Sequence, residues 1–80
     1  MIGHTYQLTE PDYRFGTGTI LVTVSTVVGQ TEYDREPWWM VHGRVAVGTT
    51  ENHGGWQNRD FLEVRGNSLH LARVMVTDTA

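Results

Sequence analysis

The sequence predicts an all-β protein that folds as one small, partly open barrel of five strands over residues 1–80. Eleven threonines and ten valines among 80 residues favour strands, because β-branched side chains fit a pleated sheet better than a helix. Apolar residues recur with a two-residue period, and no window combines helical spacing with a cap and a terminal glycine. A small barrel also avoids the two free edges and the uncovered face of a lone sheet.

Turn residues and alternation bound the first two strands. The first strand alternates and ends at Glu10-Pro11-Asp12, a segment of turn-forming residues. The second places Ile20, Val22 and Val24 on one face, and Leu21 adds apolar character to the other. Strands that are apolar on both sides suit a strongly bent sheet or a barrel. In chain order, the five predicted strands are Thr5–Thr9, Thr19–Val28, Pro37–Val47, Asp60–Arg65 and Leu69–Thr77.

The third strand alternates between a predicted core set and a predicted surface set. Gly43 has core parity but no side chain, which predicts a bulge, a bend or a close backbone approach. A short polar hairpin precedes this strand, with its tip expected near Asp34 and Arg35. The core set is Trp39, Val41, Val45 and Val47, and the surface set is Trp38, Met40, His42 and Arg44.

The fourth strand points Leu62 and Val64 inward, and Glu63 and Arg65 outward. The sequence Gly66-Asn67-Ser68 then predicts the turn into the last strand.

One set of residues resembles a known family. A Trp38-Trp39 pair opens a strand, and Gly54-Gly55-Trp56 precedes the next one, as in the second half of SH3-like barrel domains. The resemblance covers roughly residues 36–69, and the chain also resembles small actinobacterial proteins. The SH3-like resemblance implies that an exposed Trp38 stacks on a proline-rich peptide and that the acidic hairpin tip attracts a basic residue. The tyrosine-rich segment of that family has no match at Thr5–Thr9.

The sequence predicts a non-catalytic binding module with an exposed aromatic patch that recognises a protein or peptide partner. Homodimerisation through the same face is an alternative use. Two structural interpretations stay open beside it: the Trp38 ring covers a neighbouring Met40 or an arginine stem, and Trp56 packs back as a lid on the barrel. The predicted partner-binding residues are Tyr33, Trp38, Met40, His42, His53 and Trp56.

Charge argues against a generic polyanion binder. Six arginines and no lysine stand against nine acidic residues, and the formal charge is −3. A small barrel that binds single-stranded nucleic acid remains the alternative, because exposed aromatic rings can stack on bases while arginines hold phosphates. The residues that could form such a patch are Tyr33, Trp38, Trp56, Arg44 and Arg59.

No metal, cofactor or catalytic chemistry is predicted. The four histidines, His4, His42, His53 and His70, form no closely spaced pair, and zinc needs three or four ligands. There is no cysteine, no Gly-x-Ser-x-Gly motif and no phosphate-binding loop. The absence of a signal-peptide pattern or a long apolar run predicts a cytoplasmic protein without a membrane segment.

Overall fold

The computed structural model describes residues 2–14, 16, 18–66 and 73–74, and these residues are mostly β. The four strands are β1 (Thr5–Leu8), β2 (Ile20–Tyr33), β3 (Glu36–Val47) and β4 (Gln57–Arg65). They form one open antiparallel sheet in the order β4-β3-β2-β1. One turn of 3-10 helix, Glu10–Asp12, follows β1. No helix in the described part of the chain is long and apolar enough to cross a membrane.

The predicted fifth strand lies mostly outside the described residues. Within it, Arg73 pairs with Tyr6 and Val74 pairs with Thr5, on the side of β1 away from β2. The other residues of the predicted strand Leu69–Thr77 are not among those described.

The β2–β3 hairpin turns at the predicted place. Asp34 and Arg35 connect the strands with φ values of 54° and 64°. Two successive left-handed residues match the right-handed twist of the flanking strands. The ladder continues up to the pair Tyr33–Glu36, so residues 29–33, expected in the connection, belong to β2.

The core lies on one face of the sheet, named the inner face here. Cross-strand pairs such as Val22–Val45 and Val41–Leu62 place apolar side chains together on it. All five residues predicted to point inward from the second and fourth strands are in the core. The buried cluster consists of Tyr6, Leu8, Tyr13, Ile20, Val22, Val24, Val41, Leu62 and Val64, with Val27, Trp39 and Val45 packed against it.

Three β-bulges lie around the middle of β3. Ser25 and Val28 are extra residues of β2 relative to β3. In β4, Asp60 and Phe61 together lie opposite His42. Each bulge bends its strand and increases the local twist. The sheet is therefore bent around His42.

Gly43 makes a close backbone approach, one of the three features that its position predicted. A Cβ on Gly43 would overlap the carbonyl oxygen of Thr23 and would lie 3.3 Å from the Cα of Val24. Only glycine leaves room for the two strands at this separation.

The segment after β1 reaches the far edge of the sheet. Tyr13 is buried in the core and forms an isolated antiparallel bridge with Val64 of β4. The next residue, Arg14, donates its backbone N–H to the carbonyl of Glu63 at 3.2 Å. The Tyr13 hydroxyl donates to the carbonyl of Gly18 at 2.9 Å, which ties this crossing to the start of β2.

Two predicted burial states are wrong. Val47, expected in the core, is 68% exposed because it ends β3, and β4 begins opposite Val45 and so places no side chain beside it. Trp38, expected at the surface, is only 7% exposed. On the same outer face, Leu21 and Ala46 are also buried, so this face is not uniformly open to solvent.

Candidate partner-binding surface

The register of the sheet tests which predicted site residues share a face. Trp38 lies opposite Thr31 and Arg65, and Met40 lies opposite Glu63, on the face away from the core. Strand alternation places His42 on this same outer face. Successive tryptophans therefore point to opposite faces, with Trp39 packed against the core.

The predicted residues do not form one compact patch. Tyr33 lies at the hairpin end of β3, opposite Glu36, whereas Trp56 lies just before β4 at the other end. Ten residues of strand separate these two ends, which corresponds to a distance on the order of 30 Å. The surface therefore has a hairpin end and a central part, and the central part carries most of its aromatic residues.

The centre of the outer face is a ring pair that the sequence prediction missed. The rings of His42 and Phe61 meet edge to face with centroids 5.4 Å apart. Phe61 is 70% exposed, more than any other large apolar residue of the described chain. Phe61 shares the outward parity of Glu63, and the bulge in β4 places it together with Asp60 opposite His42.

The loop between β3 and β4 adds a second ring cluster. The rings of His53 and Trp56 meet at 5.4 Å, and the Arg44 guanidinium lies 5.3 Å from the centre of the Trp56 ring. Trp56 is half-buried. Its loop is ordered by backbone hydrogen bonds, Thr49 N–H to Asn52 carbonyl and Gly54 N–H to Val47 carbonyl.

The outer-face residues around the His42–Phe61 pair and the Trp56 cluster are called the central patch here. Met40 is half-buried between the hairpin end and His42. The patch joins exposed or half-exposed rings to one cation on a rigid strand. Its members are Met40, His42, Arg44, Trp56 and Phe61.

Trp38 has a structural position instead of an exposed one. Arg65 lies directly opposite it, and Glu36 precedes it on the same face. The Arg65 Nε donates to the Glu36 carboxylate at 2.9 Å, and its Nη2 binds the same oxygen. The ion pair therefore lies beside the indole on the outer face.

The hairpin end is occupied by charge pairs. Arg14 binds Glu63 at 3.0 Å, and its guanidinium lies 4.4 Å from the centre of the Tyr33 ring. Tyr33 is 54% exposed. The arginine that crosses from the other edge of the sheet thus fixes the Tyr33 ring, and this contact was not visible in the sequence.

A separate groove opens at one end of the inner face. Its volume is about 410 Å³, and it lies between the start of β2 and the start of β4. Burial raises the pKa of Tyr13, which lines it, above its ordinary value; the charge of Glu10 raises it further and that of Arg59 lowers it. The lining residues are Tyr13, Gly16, Ile20, Val45, Val47, Gly54, Gly55, Gln57 and Arg59.

Metal ligands are not brought together. Within the described ranges, no three histidine, aspartate or glutamate side chains converge as a metal site would require. His42 and His53 instead contact aromatic rings, and the His53 Nδ1 lies 2.8 Å from the Gly54 carbonyl oxygen.

Comparison with known proteins finds no matching family model, no matching curated protein and no matching solved structure.

Proposed function

We propose that this protein is a non-catalytic binding module that recognises a protein or peptide partner through the central patch. The observation that carries the proposal is the His42–Phe61 pair, in which a phenyl ring is 70% exposed although it lies within a strand. Partner surfaces are built around aromatic and arginine anchors on rigid elements. The patch offers two such anchors, Phe61 and the Arg44–Trp56 stack.

Phe61 supplies the largest gain in free energy on binding. Full burial of a phenyl ring contributes about 1.5–3 kcal/mol, which corresponds to roughly tenfold to more than a hundredfold in affinity. Phe61 lies within strand β4, between residues paired with β3, so binding orders less backbone than it would in a free loop. The same chemistry would serve a proteinaceous partner or a second copy of the chain.

The proposal includes a finer description of the fold, an SH3-like, partly open barrel in the cytoplasm. Three features support the barrel: the bulges around His42, the Tyr13–Val64 bridge to the far edge, and the pairing of Arg73–Val74 beside β1. The buried Trp38 changes what the SH3-like resemblance implied, because its ring no longer offers a stacking surface for proline. Phe61 takes that part in the present proposal.

The test is selection of binding peptides from a random peptide library, followed by titration of the purified peptides. We expect the selected peptides to bind the wild type and to lose at least about tenfold in affinity with Phe61→Ser. Ile2→Ser is the matched control, because it removes a similarly exposed apolar side chain that belongs neither to the central patch nor to the groove. Peptides that bind both variants equally would contradict the proposal.

Two further experiments test self-association and nucleic-acid binding. A sedimentation series over protein concentration would detect a dimer, and Phe61→Ser would dissociate it if the central patch forms the interface. The Arg44–Trp56 stack is the observation that favours single-stranded nucleic acid. Binding of oligothymidylate that weakens steeply with salt would support that alternative against a peptide partner.

A further inference from the structure

We propose that the groove on the inner face is a second site, which takes an extended peptide as an added strand on the outer edge of β4. This proposal does not depend on the central patch, which lies on the opposite face. The occupant is a partner segment with an apolar and an acidic side chain two positions apart. In strand addition, main-chain hydrogen bonds provide affinity and side-chain pockets provide specificity.

The edge of β4 is available for pairing beside the groove. β4 is the last strand in the sheet order, and its outer edge meets the segment after β1 only near Glu63 and Val64. Residues 57–61 are all exposed, and no described strand pairs with their outer edge. Because the groove lies between this edge and Gly16, an added strand would fill the opening in the sheet.

The groove floor is apolar. Ile20 is buried, Val45 is half-buried and Val47 is 68% exposed, and all three line the opening. Cross-strand pairing places these side chains on the inner face with Gln57 at the mouth. One apolar side chain of the occupant, level with Gln57, would cover Val45, which is paired with Gln57 and otherwise stays half-exposed.

Charge selects the second side chain of the occupant. Arg59 lies opposite Gly43, so it also points to the inner face and lines the groove. Among the described residues, it has no ion pair, whereas Arg14 and Arg65 are each bound to a glutamate. An acidic residue facing Arg59 would lie two positions from the apolar one, since alternate residues of a strand share a face.

The test is a titration of the full chain with two acetylated, amidated pentapeptides, followed by NMR of the backbone amides. The peptides are Thr-Val-Thr-Glu-Thr and Thr-Glu-Thr-Val-Thr, one for each strand direction, at concentrations up to about 5 mM. We expect one of them to shift the amides of residues 57–61 and of Gly54 and Gly55. N-methylation of alternate peptide bonds should abolish the shifts by removing the main-chain donors.

A charge swap completes the test. Arg59→Glu should weaken the binding of the glutamate peptide at least about tenfold. It should also favour binding of a peptide in which lysine replaces the glutamate. Asp60→Asn is the control on the same edge, and it should leave the glutamate peptide bound. No shifts at residues 57–61, equal binding of the lysine peptide to the wild type, or shifts that depend only on protein concentration would each overturn the proposal. The last outcome would identify a second copy as the occupant.

Discussion

The carbonyl group of Thr23 lies against the Cα of Gly43, in the space that a β-carbon would require. The contact joins β2 and β3 beside the first bulge, where the register shifts between Val24 and Thr26. It therefore fixes the bend on which the positions of His42 and Phe61 depend.

Gly43→Ala should destabilise the protein by roughly 2–3 kcal/mol. The added Cβ would clash with backbone atoms of the neighbouring strand, and neither strand can move away without breaking the hydrogen bonds between them. Gly29→Ala is the control, since a Cβ at Gly29 meets no atom within 4 Å. Its effect should stay within about 0.5 kcal/mol. Urea unfolding of the two variants measures the difference, and equal midpoints would show that the close approach does not matter.

The left-handed turn offers a stabilising substitution. Arg35 has φ 64°, and a non-glycine residue in this region costs about 1–2 kcal/mol. We expect Arg35→Gly to raise the free energy of unfolding by about 0.5–1 kcal/mol. Arg35→Ala removes the same charge but keeps the Cβ, so it should give no gain. A gain from alanine would point to the charge instead of the backbone.

Trp38 and Phe61 should respond oppositely to truncation. Trp38→Ala removes a buried ring and should cost about 3 kcal/mol or more of stability. Phe61→Ser removes an exposed ring and should change stability by less than about 1 kcal/mol. Thermal unfolding compares them, with Trp38→Phe as a milder variant that keeps the fold if alanine does not. If Trp38→Ala left the stability unchanged, the burial of the Trp38 side chain would be contradicted.

Tyr13 should make stability fall at high pH. Because its pKa is raised in the folded state, the stabilisation is complete below the unfolded pKa of about 10 and declines as pH rises through the folded pKa. Ionisation also removes the proton that the hydroxyl donates to Gly18. Ultraviolet titration of the phenol should show a lower pKa with Glu10→Gln and a higher one with Arg59→Gln. No shift in either variant would contradict this assignment of causes.

Local sequence signals predicted the parts of the fold that depend on alternation. The inward set around Val22 and Val64, the close approach at Gly43 and the tip at Asp34 all follow from a few neighbouring residues. The burial of Trp38 could not be predicted from alternation, because alternation gives the face on which a side chain lies but not the residues beside it. The Glu36–Arg65 ion pair that flanks it joins residues far apart in sequence.

Phe61 had a usable signal that the prediction did not take. It shares parity with Glu63 and Arg65 on the fourth strand, so alternation alone places a large aromatic ring among outward charges. The bulge that places it opposite His42 depends on pairing with β3 and carries no local motif. Its contact with His42 likewise needs the register of two strands.

The affinity of library-selected peptides for wild type and for Phe61→Ser tests the central claim most directly. Titration calorimetry on the folded proteins should show at least about tenfold weaker binding to Phe61→Ser, with Ile2→Ser close to the wild type. Equal affinity for the wild type and Phe61→Ser, or an equal loss with Ile2→Ser, would contradict the assignment of the central patch as the partner-binding surface.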